Sequence, residues 1–491
     1  MTTFRTSTES AREVATDLLI VPVFTGDDRG SGVKDTGLAD VYAAARLTGK
    51  KGEDLLVARR DRDRFAAANV LLVGVGERDD FDVTSMRRSL AKAVAGVRRF
   101  PSVATTFAQS LGARQAADAV QAAVEAIDLG SYRFGRYKTA KDDGALAKAT
   151  VLVSPRWDTK AVKGAAKAGE IVGDAVRWAR DLVNTPAGDL PPAAIAREAQ
   201  KMAKQVGLTC KVWNETQLKQ GGFGGIVGVG QGSPNPPRMI ELRYTGAGKQ
   251  TPIALTGKGI AFDSGGLSIK DSSGMETMKC DMGGAASILA AMKVIARLKP
   301  KINVIAAVPS SENMPSGTAQ KPGDVIHHRG GKTSEVLNTD AEGRLILADS
   351  LAFLAEQKPS CIVDTATLTG ACMVALGTDI VGAFGNDDAL AQDLVAAGAA
   401  VGEPIWQLPL WSDYKQLIES KVADVKNIGK RYGGAITAAL FLAEFVGDTP
   451  WVHLDIAGPA FQESVTDLGP AGATGVPARA LVRFVLDRAG A

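Results

Sequence analysis

"TPIALTGKGIAFDSGG", residues 251–266, joins an apolar run to a lysine, a second short apolar run and an acid followed by glycines. Its first seven residues read as a buried strand. Asp263 lies just past the end of that strand, with Lys258 five residues before it and Lys270 seven after. Open α/β sheets bind ligands outside the carboxyl ends of their strands, so this stretch marks where chemistry is expected.

The same pattern repeats on both sides. "TCKVWN" (209–214), "RMIELRYTG" (238–246), "KINVIAAVP" (301–309), "SCIVDTATL" (360–368) and "WVHLDIAG" (451–458) read as strands. "AASILAAMKVIARL" (285–298) and a segment from about Gly343 read as helices between them. Further upstream, "DLLIVPVF" (17–24), "NVLLVGVG" (69–76) and "ATVLVS" (149–154) are strand-like. A helix is expected from about Ala113 to Asp128, with Ala116, Val120, Ala123 and Ile127 on one face. Strands alternating with helices imply a mostly parallel sheet covered on both faces. The class is α/β in two domains: a smaller N-terminal assembly or scaffold domain at 1–158, and a larger catalytic domain at 184–491 with a central, mostly parallel sheet. A linker helix at 159–183 joins them and is stopped by the Pro/Gly cluster "NTPAGDLPP".

A chain of 491 residues is too long for one ordinary core, which agrees with two domains. Its 57 basic and 54 acidic residues leave +3, too small a surplus to argue for nucleic acid or a membrane surface, so small-molecule or peptide partners are expected. Cys210, Cys280, Cys361 and Cys372 show no CxxC spacing, which suits buried thiols in the cytoplasm. The N-terminus lacks the apolar centre of a secretory signal, and no stretch approaches the ~18 apolar residues of a spanning helix. "AITAALFLAEFV" (435–446), interrupted by Thr437 and Glu444, reads as a buried helix after the turn at Gly433 and Gly434.

Several familiar chemistries fail on their own requirements. "HHRGGKT" would place the lead glycine of a phosphate loop on Ile326, "GVGQGS" has Ser233 where a third dinucleotide glycine belongs, and "TGKGIAF" has no hydroxyl after its lysine. No GxSxG elbow or HExxH pair occurs, and His327, His328 and His453 read as structural hydrogen-bonding residues.

What remains is carboxylates. Asp263 follows one strand, and Asp281 in "KCDMGG" precedes a helix, where it could simply be a cap. Asp340 and Glu342 in "NTDAEGRL" (338–345) precede another helix, where Glu342 could be no more than a favourable charge at a helix start. Together, four acids sit in loops able to converge on one rim of one sheet, which is costly unless cations neutralise them. Two divalent ions ~3.5–4 Å apart would do so and would hold a water for attack on a carbonyl or phosphoryl group. Hard oxygen donors suit Mg²⁺, Mn²⁺ or Zn²⁺, with Lys258, Lys270 and Arg344 as positive groups around developing negative charge.

"NTDAEGRL", "GKGIAFDSGGLSIK" (257–270) and "MKCDMGGAAS" (278–287) together resemble the leucyl aminopeptidases, the cytosol aminopeptidase family of two-metal exopeptidases. The likeness runs on through "VNTPAGDL" (183–190), "DTATLTGA" (364–371) and "LDIAGPAF" (454–461), whereas the first domain matches only in α/β pattern and length. The resemblance implies a tighter metal held by Lys258, Asp263, Asp281 and Glu342, and a more exchangeable one held by Asp263, Asp340 and Glu342. Asp263 and Glu342 then bridge, Asp340 also lends its carbonyl, and Lys258 is neutral. The ions would be Zn²⁺ or Mn²⁺, with Mg²⁺ or Co²⁺ as other candidates. As the family mechanism implies, Arg344 holds a bicarbonate that serves as general base, and Lys270 polarises the scissile carbonyl. Met278, Thr367 and Gly370 fall at positions lining the pocket for the first side chain, and Leu368 at one that hydrogen-bonds substrate through its backbone. Substrates would be peptides with a free N-terminus, with leucine and other apolar residues preferred over a broad range. The resemblance also implies a homohexamer of two stacked trimers. A two-metal phosphoesterase and a non-catalytic scaffold or DNA-binding role are the competing expectations.

Overall fold

In a computed structural model, the described residues are 2–26, 33–59, 65–97, 99–139 and 146–490. The chain forms two compact units: Met1–Arg177 with Ser464–Ala471, and Trp178–Glu463 with Gly472–Ala491. The division falls within the long helix Thr159–Asn184 rather than at its ends, and a late segment returns to the first unit. No helix among the described residues is long and apolar enough to cross a membrane.

The first unit is built on strands β1 (Thr3–Ser7), β2 (Leu18–Phe24), β3 (Asp54–Ala58), β4 (Asn69–Gly76), β5 (Ser102–Thr105) and β6 (Lys148–Leu152). They lie in the order β1-β6-β5-β2-β4-β3, all neighbours parallel except β3, which runs antiparallel to β4. In β2, Leu18, Ile20 and Phe24 join the core made with the helices Val83–Gly96 and Ala116–Gly130. Leu19, Val21 and Val23 enter a second core with Val33, Leu38 and Tyr42. Side chains alternate across a strand, so one covered on both faces reads as an unbroken apolar run. The helix expected from Ala113 begins as a 3₁₀ turn, Ala113–Gln115, and becomes α-helical from Ala116 to Gly130, with Ala116, Val120, Ala123 and Ile127 all buried.

The second unit continues with β7 (Thr209–Trp213), β8 (Arg238–Thr245), β9 (Ile253–Gly257), β10 (Gly259–Asp263), β11 (Asn303–Asn313), β12 (Val325–His327) and β13 (Thr333–Glu335). It goes on with β14 (Cys361–Ala366), β15 (Val381–Gly385), β16 (Ile405–Gln407), β17 (Val425–Lys426) and β18 (Trp451–Asp455), and closes with the antiparallel pair β19 (Phe461–Gln462) and β20 (Gly472–Ala473). The large sheet runs β16-β15-β18-β14-β9-β11-β8-β7. Its centre, β18-β14-β9-β11, is parallel, and antiparallel pairings enter where β15 joins β18 and where β8 and β7 follow β11. The helices Gly283–Leu298 and Gly343–Ala355 both pack on the central strands.

One strand was hidden in the sequence. The stretch after β9 is a separate strand, β10, paired in parallel with the far half of β11 and irregular in register between Ile260 and Asp263. The near half of β11 pairs with β9, so one long strand serves both. Lys258 occupies the break: its N–H donates to the Thr365 carbonyl at 3.0 Å, and its own carbonyl accepts from Ala285 N–H at 2.8 Å. Flanking glycines allow this closeness, since a methyl group at Gly257 would lie 2.4 Å from the Gly284 oxygen and one at Gly259 2.5 Å from the Pro309 oxygen.

Candidate metal centre

Asp263 ends β10, and Lys258 sits in the gap between β9 and β10. Asp281 lies in the 3₁₀ turn Met278–Met282 that leads into the helix Gly283–Leu298, and Glu342 stands at the start of the helix Gly343–Ala355. Neither acid's side chain caps its helix, so that ordinary use is not the one they have. Oxygens of Asp263, Asp340 and Glu342 lie within 4.8 Å of one another.

Two lysines thread between these acids. Lys258 Nζ lies 2.8 Å from Asp281 Oδ1 and 2.7 Å from Glu342 Oε1, and donates to the Thr367 carbonyl at 2.9 Å. Lys270 Nζ lies 2.9 Å from Asp263 Oδ2 and 2.5 Å from Asp340 Oδ1. Asp281 therefore joins the other three acids across the Lys258 amine.

Four carboxylates meet two ammonium groups here, with Asp263, Asp281 and Glu342 buried and Asp340 partly exposed. Burial, with Glu342 next to it, raises the Asp263 carboxyl against the pull of Lys258 and Lys270. Burial also lifts Asp281 well above the usual carboxylate range, with Lys258 opposing and Glu342 and Asp263 adding to the rise. Asp340 is raised by burial and by Asp263. For Lys258, burial disfavours the ammonium, but Asp281, Glu342 and Asp263 outweigh it and hold the proton on. Acting as a neutral ligand, as the resemblance implies, would require the charge of adjacent dications to displace that proton.

The donor set fits such ions. Asp281 Oδ2 and Glu342 Oε2 are buried without a hydrogen-bond partner, an arrangement that costs several kcal/mol unless a cation faces the oxygens. Hard carboxylate oxygens with one amine suit Mn²⁺, Zn²⁺ or Mg²⁺.

Other contacts orient the acids. Asp263 Oδ1 accepts from Gly265 N–H at 2.9 Å and from Asn313 Nδ2 at 2.8 Å. Asn313 Nδ2 also donates to the Thr339 carbonyl at 2.9 Å, tying the Asp263 segment to the one that carries Asp340. Thr367 Oγ1 donates to Asp281 Oδ1 at 2.6 Å, so its hydroxyl is committed to an acid as well as lying near the rim. Leu368 N–H reaches Asp455 Oδ1 at 3.3 Å, Gly370 is exposed at the start of the helix Gly370–Leu376, and Met278 is half-buried in the turn carrying Asp281.

Arg344 is bonded elsewhere than the two lysines. It is buried, its Nη1 donates to the Asn427 carbonyl at 2.9 Å, and its Nε has no hydrogen-bond partner. Burial draws its guanidinium down to about 10, which still leaves it charged at neutral pH and able to receive a small anion.

Asn313, Thr339 and Asn427 were not singled out in the sequence. The polar end "SSEN" of a long apolar strand could have flagged Asn313 by the strand-end rule; "VKNIGK" carries no comparable signal for Asn427. His328 and His453 are structural, whereas His327 is exposed. His328 Nδ1 is 3.0 Å from Asp349 Oδ1 and its Nε2 is 2.7 Å from Ser334 Oγ, all buried, and His453 Nδ1 is 2.6 Å from Asp364 Oδ1. All four cysteines are free, and burial pushes the Cys280 thiol up to about 12, far from nucleophilic use.

Known proteins resemble the chain over most of its length. Residues 177–482 match the catalytic domain of the cytosol aminopeptidase family, and residues 20–141 match that family's N-terminal domain. A probable cytosol aminopeptidase of Solibacter usitatus is 44% identical over 97% of this chain and 97% of its own. One from Roseiflexus castenholzii is 43% identical over 96% of each. Among solved structures, a mutant of tomato leucine aminopeptidase aligns with a TM-score of 0.88 at 32% identity, covering 99% of this chain and 97% of its own. The bottromycin maturation enzyme BotP in complex with Mn aligns at 0.87 and 35%, covering 97% of this chain and 100% of its own.

Proposed function

The chain belongs to the cytosol aminopeptidase family and is a metal-dependent aminopeptidase of the leucyl type; from that premise we propose that it removes apolar N-terminal residues, leucine foremost, from peptides by a two-metal mechanism. The observation that carries this reading is the buried convergence of Asp263, Asp281, Asp340 and Glu342 around Lys258 and Lys270, with acid oxygens left unpartnered.

Lys258, Asp263, Asp281 and Glu342 would hold one divalent ion, and Asp263, Asp340 and Glu342 the other. When bound, the pair would supply Lewis-acid activation of water and of the substrate's carbonyl and free amine. Lys270, which lies against Asp263 and Asp340, would carry the ammonium able to donate to the carbonyl oxygen as negative charge grows on it. Arg344, through its unpartnered Nε, would hold bicarbonate at the site's edge to accept the proton lost by the attacking water. Asp281, kept in place by Thr367, fixes one end of the acid set. Met278, Thr367 and Gly370 would border the first side chain and Leu368 would meet the peptide backbone. Selectivity of only ~1–3 kcal/mol per methylene makes the preference broad.

A homohexamer in the cytoplasm completes the reading, supported by similarity over both family domains and by four free thiols. The deciding experiment measures bound metal and the release of p-nitroaniline from leucine p-nitroanilide. Two ions per chain with activity lost on chelation are expected. Turnover of p-nitrophenyl phosphate without peptide turnover would overturn the reading.

A further inference from the structure

We infer that Asn427 is a positioning residue that aligns Arg344 with the Asp340–Glu342 acid pair, an inference that rests on the aminopeptidase reading of the site. Asn427 is fully buried and follows β17 directly. Its side-chain oxygen accepts from Leu337 N–H at 2.8 Å and Asn338 N–H at 3.3 Å, and its amide nitrogen donates to the carbonyls of Asn338 at 2.6 Å and Ala341 at 3.3 Å. Its backbone N–H donates to the Glu335 carbonyl at 2.9 Å, and its own carbonyl accepts from Arg344 Nη1 at 2.9 Å. One residue thus grips the backbone on both sides of Asp340 and also supplies the hydrogen bond that aims the Arg344 guanidinium.

The grip is referenced to the helix that bears Arg344. β17 pairs with β13 in parallel, Ser334 opposite Val425. Ser334 is linked through His328 to Asp349, which lies on the helix Gly343–Ala355 beyond Arg344 and also accepts from Ile226 N–H at 2.9 Å. The small sheet that presents Asn427 is therefore fixed to the same helix at a second point, so a change at Asn427 is not absorbed by a shift of the strand. The side chain fixes where Asn427 sits against the 337–341 backbone, and its main-chain carbonyl then sets the direction of Arg344 without touching substrate; misplacement of a reacting group by ~1 Å costs about 10²-fold.

The test compares the full chain with N427A, R344A and the double variant, measuring kcat and KM on leucine p-nitroanilide at saturating Mn²⁺ and, separately, Mn²⁺ affinity by electron paramagnetic resonance. N427A is expected to lose about 10–100-fold in kcat with KM changed less than ~3-fold, and to bind the weaker Mn²⁺ ~10-fold less tightly. The double variant is expected to be no more than ~3-fold slower than R344A alone, because a residue acting through Arg344 has nothing left to aim. Losses that multiply in the double variant, or unchanged kcat and Mn²⁺ affinity in N427A, would overturn the inference. N427D, which keeps the oxygen and replaces both amide donors, is expected to change kcat and affinity in the same sense and serves if N427A does not fold. A parent protein inactive on every free-amine substrate would sink the aminopeptidase reading, while the Mn²⁺ arm would still judge Asn427.

Discussion

Gly343 and Lys258 meet so closely that no side chain fits between them: a methyl group at position 343 would lie 2.5 Å from Lys258 Cε and 2.7 Å from its Nζ. The lysine has no slack to give, because its amine is fixed by Asp281, Glu342 and the Thr367 carbonyl. Gly343→Ala should therefore displace Lys258 and weaken Mn²⁺ binding ~10–100-fold, with a loss of about 1–3 kcal/mol in the stability of the metal-free protein. Isothermal titration and thermal melting would check both; unchanged Mn²⁺ affinity would show that Lys258 takes no part in holding the ion.

Asp263 is the acid proposed to face both ions. Asp263→Asn keeps the shape and an oxygen for Gly265 N–H but removes the charge, so bound Mn²⁺ should fall below two per chain and kcat by ~10² or more. Metal analysis after gel filtration measures the first. Two tightly bound ions in the variant would refute the bridging role.

Lys270 and Arg344 should separate from the acids in their effects. Lys270→Ala and Arg344→Ala are each expected to lower kcat about 10²–10³-fold, the usual loss when a donor to developing charge is removed. Both should keep their metal, and Lys270→Ala should bind Mn²⁺ at least as tightly, since Asp263 and Asp340 lose a competing cation. Weaker metal binding in Lys270→Ala would count against this division of roles.

Thr367→Val removes the hydroxyl that holds Asp281 Oδ1 while leaving the carbonyl that receives Lys258. Metal affinity should drop ~10-fold with little change in fold. Equal affinity in a Mn²⁺ titration would place Thr367 solely in the substrate pocket.

His453, paired with Asp364 outside the acid cluster, gives a pH signature of stability. Burial disfavours its charged form, but Asp364 at 2.6 Å outweighs this and raises its pKa above the usual value. A raised folded value means the His453–Asp364 contribution is complete below the unfolded histidine value of ~6.5 and is lost as pH rises through the folded one. The melting temperature of the protein should therefore exceed that of Asp364→Asn by more at pH 6 than at pH 9. A gap that widens with rising pH would reverse the assignment.

How much of this was legible beforehand depends on the range of each interaction. β9, β14 and β18 are buried along their whole length, and the apolar residues that open each, Ile253–Leu255, Cys361–Val363 and Trp451–Val452, are visible in a short window. β10 was not, because only Ile260, Ala261 and Phe262 lie between its glycine and its acid, and what makes it a strand is the far half of β11, some fifty residues away. The acids were visible as types at strand and helix ends. Their partners were not: Asn313 reaches Asp263 across fifty residues, marked locally only by its place at a polar strand end, and Asn427 reaches Asn338 across eighty-nine with nothing local to mark it. Nor did local pattern reveal that Thr367 holds Asp281 or that Ser464–Ala471 rejoins the first unit.

That last feature bears on how the chain can be dissected. Leu468, partly buried, packs against the first unit's core. A gene fragment encoding only the residues from Trp178 onward would carry this segment without its packing partners, leaving an apolar side chain exposed on a tether. Separating the two units cleanly takes two cuts and a short replacement loop between Glu463 and Gly472, since a single cut inside the long helix leaves part of one unit attached to the other.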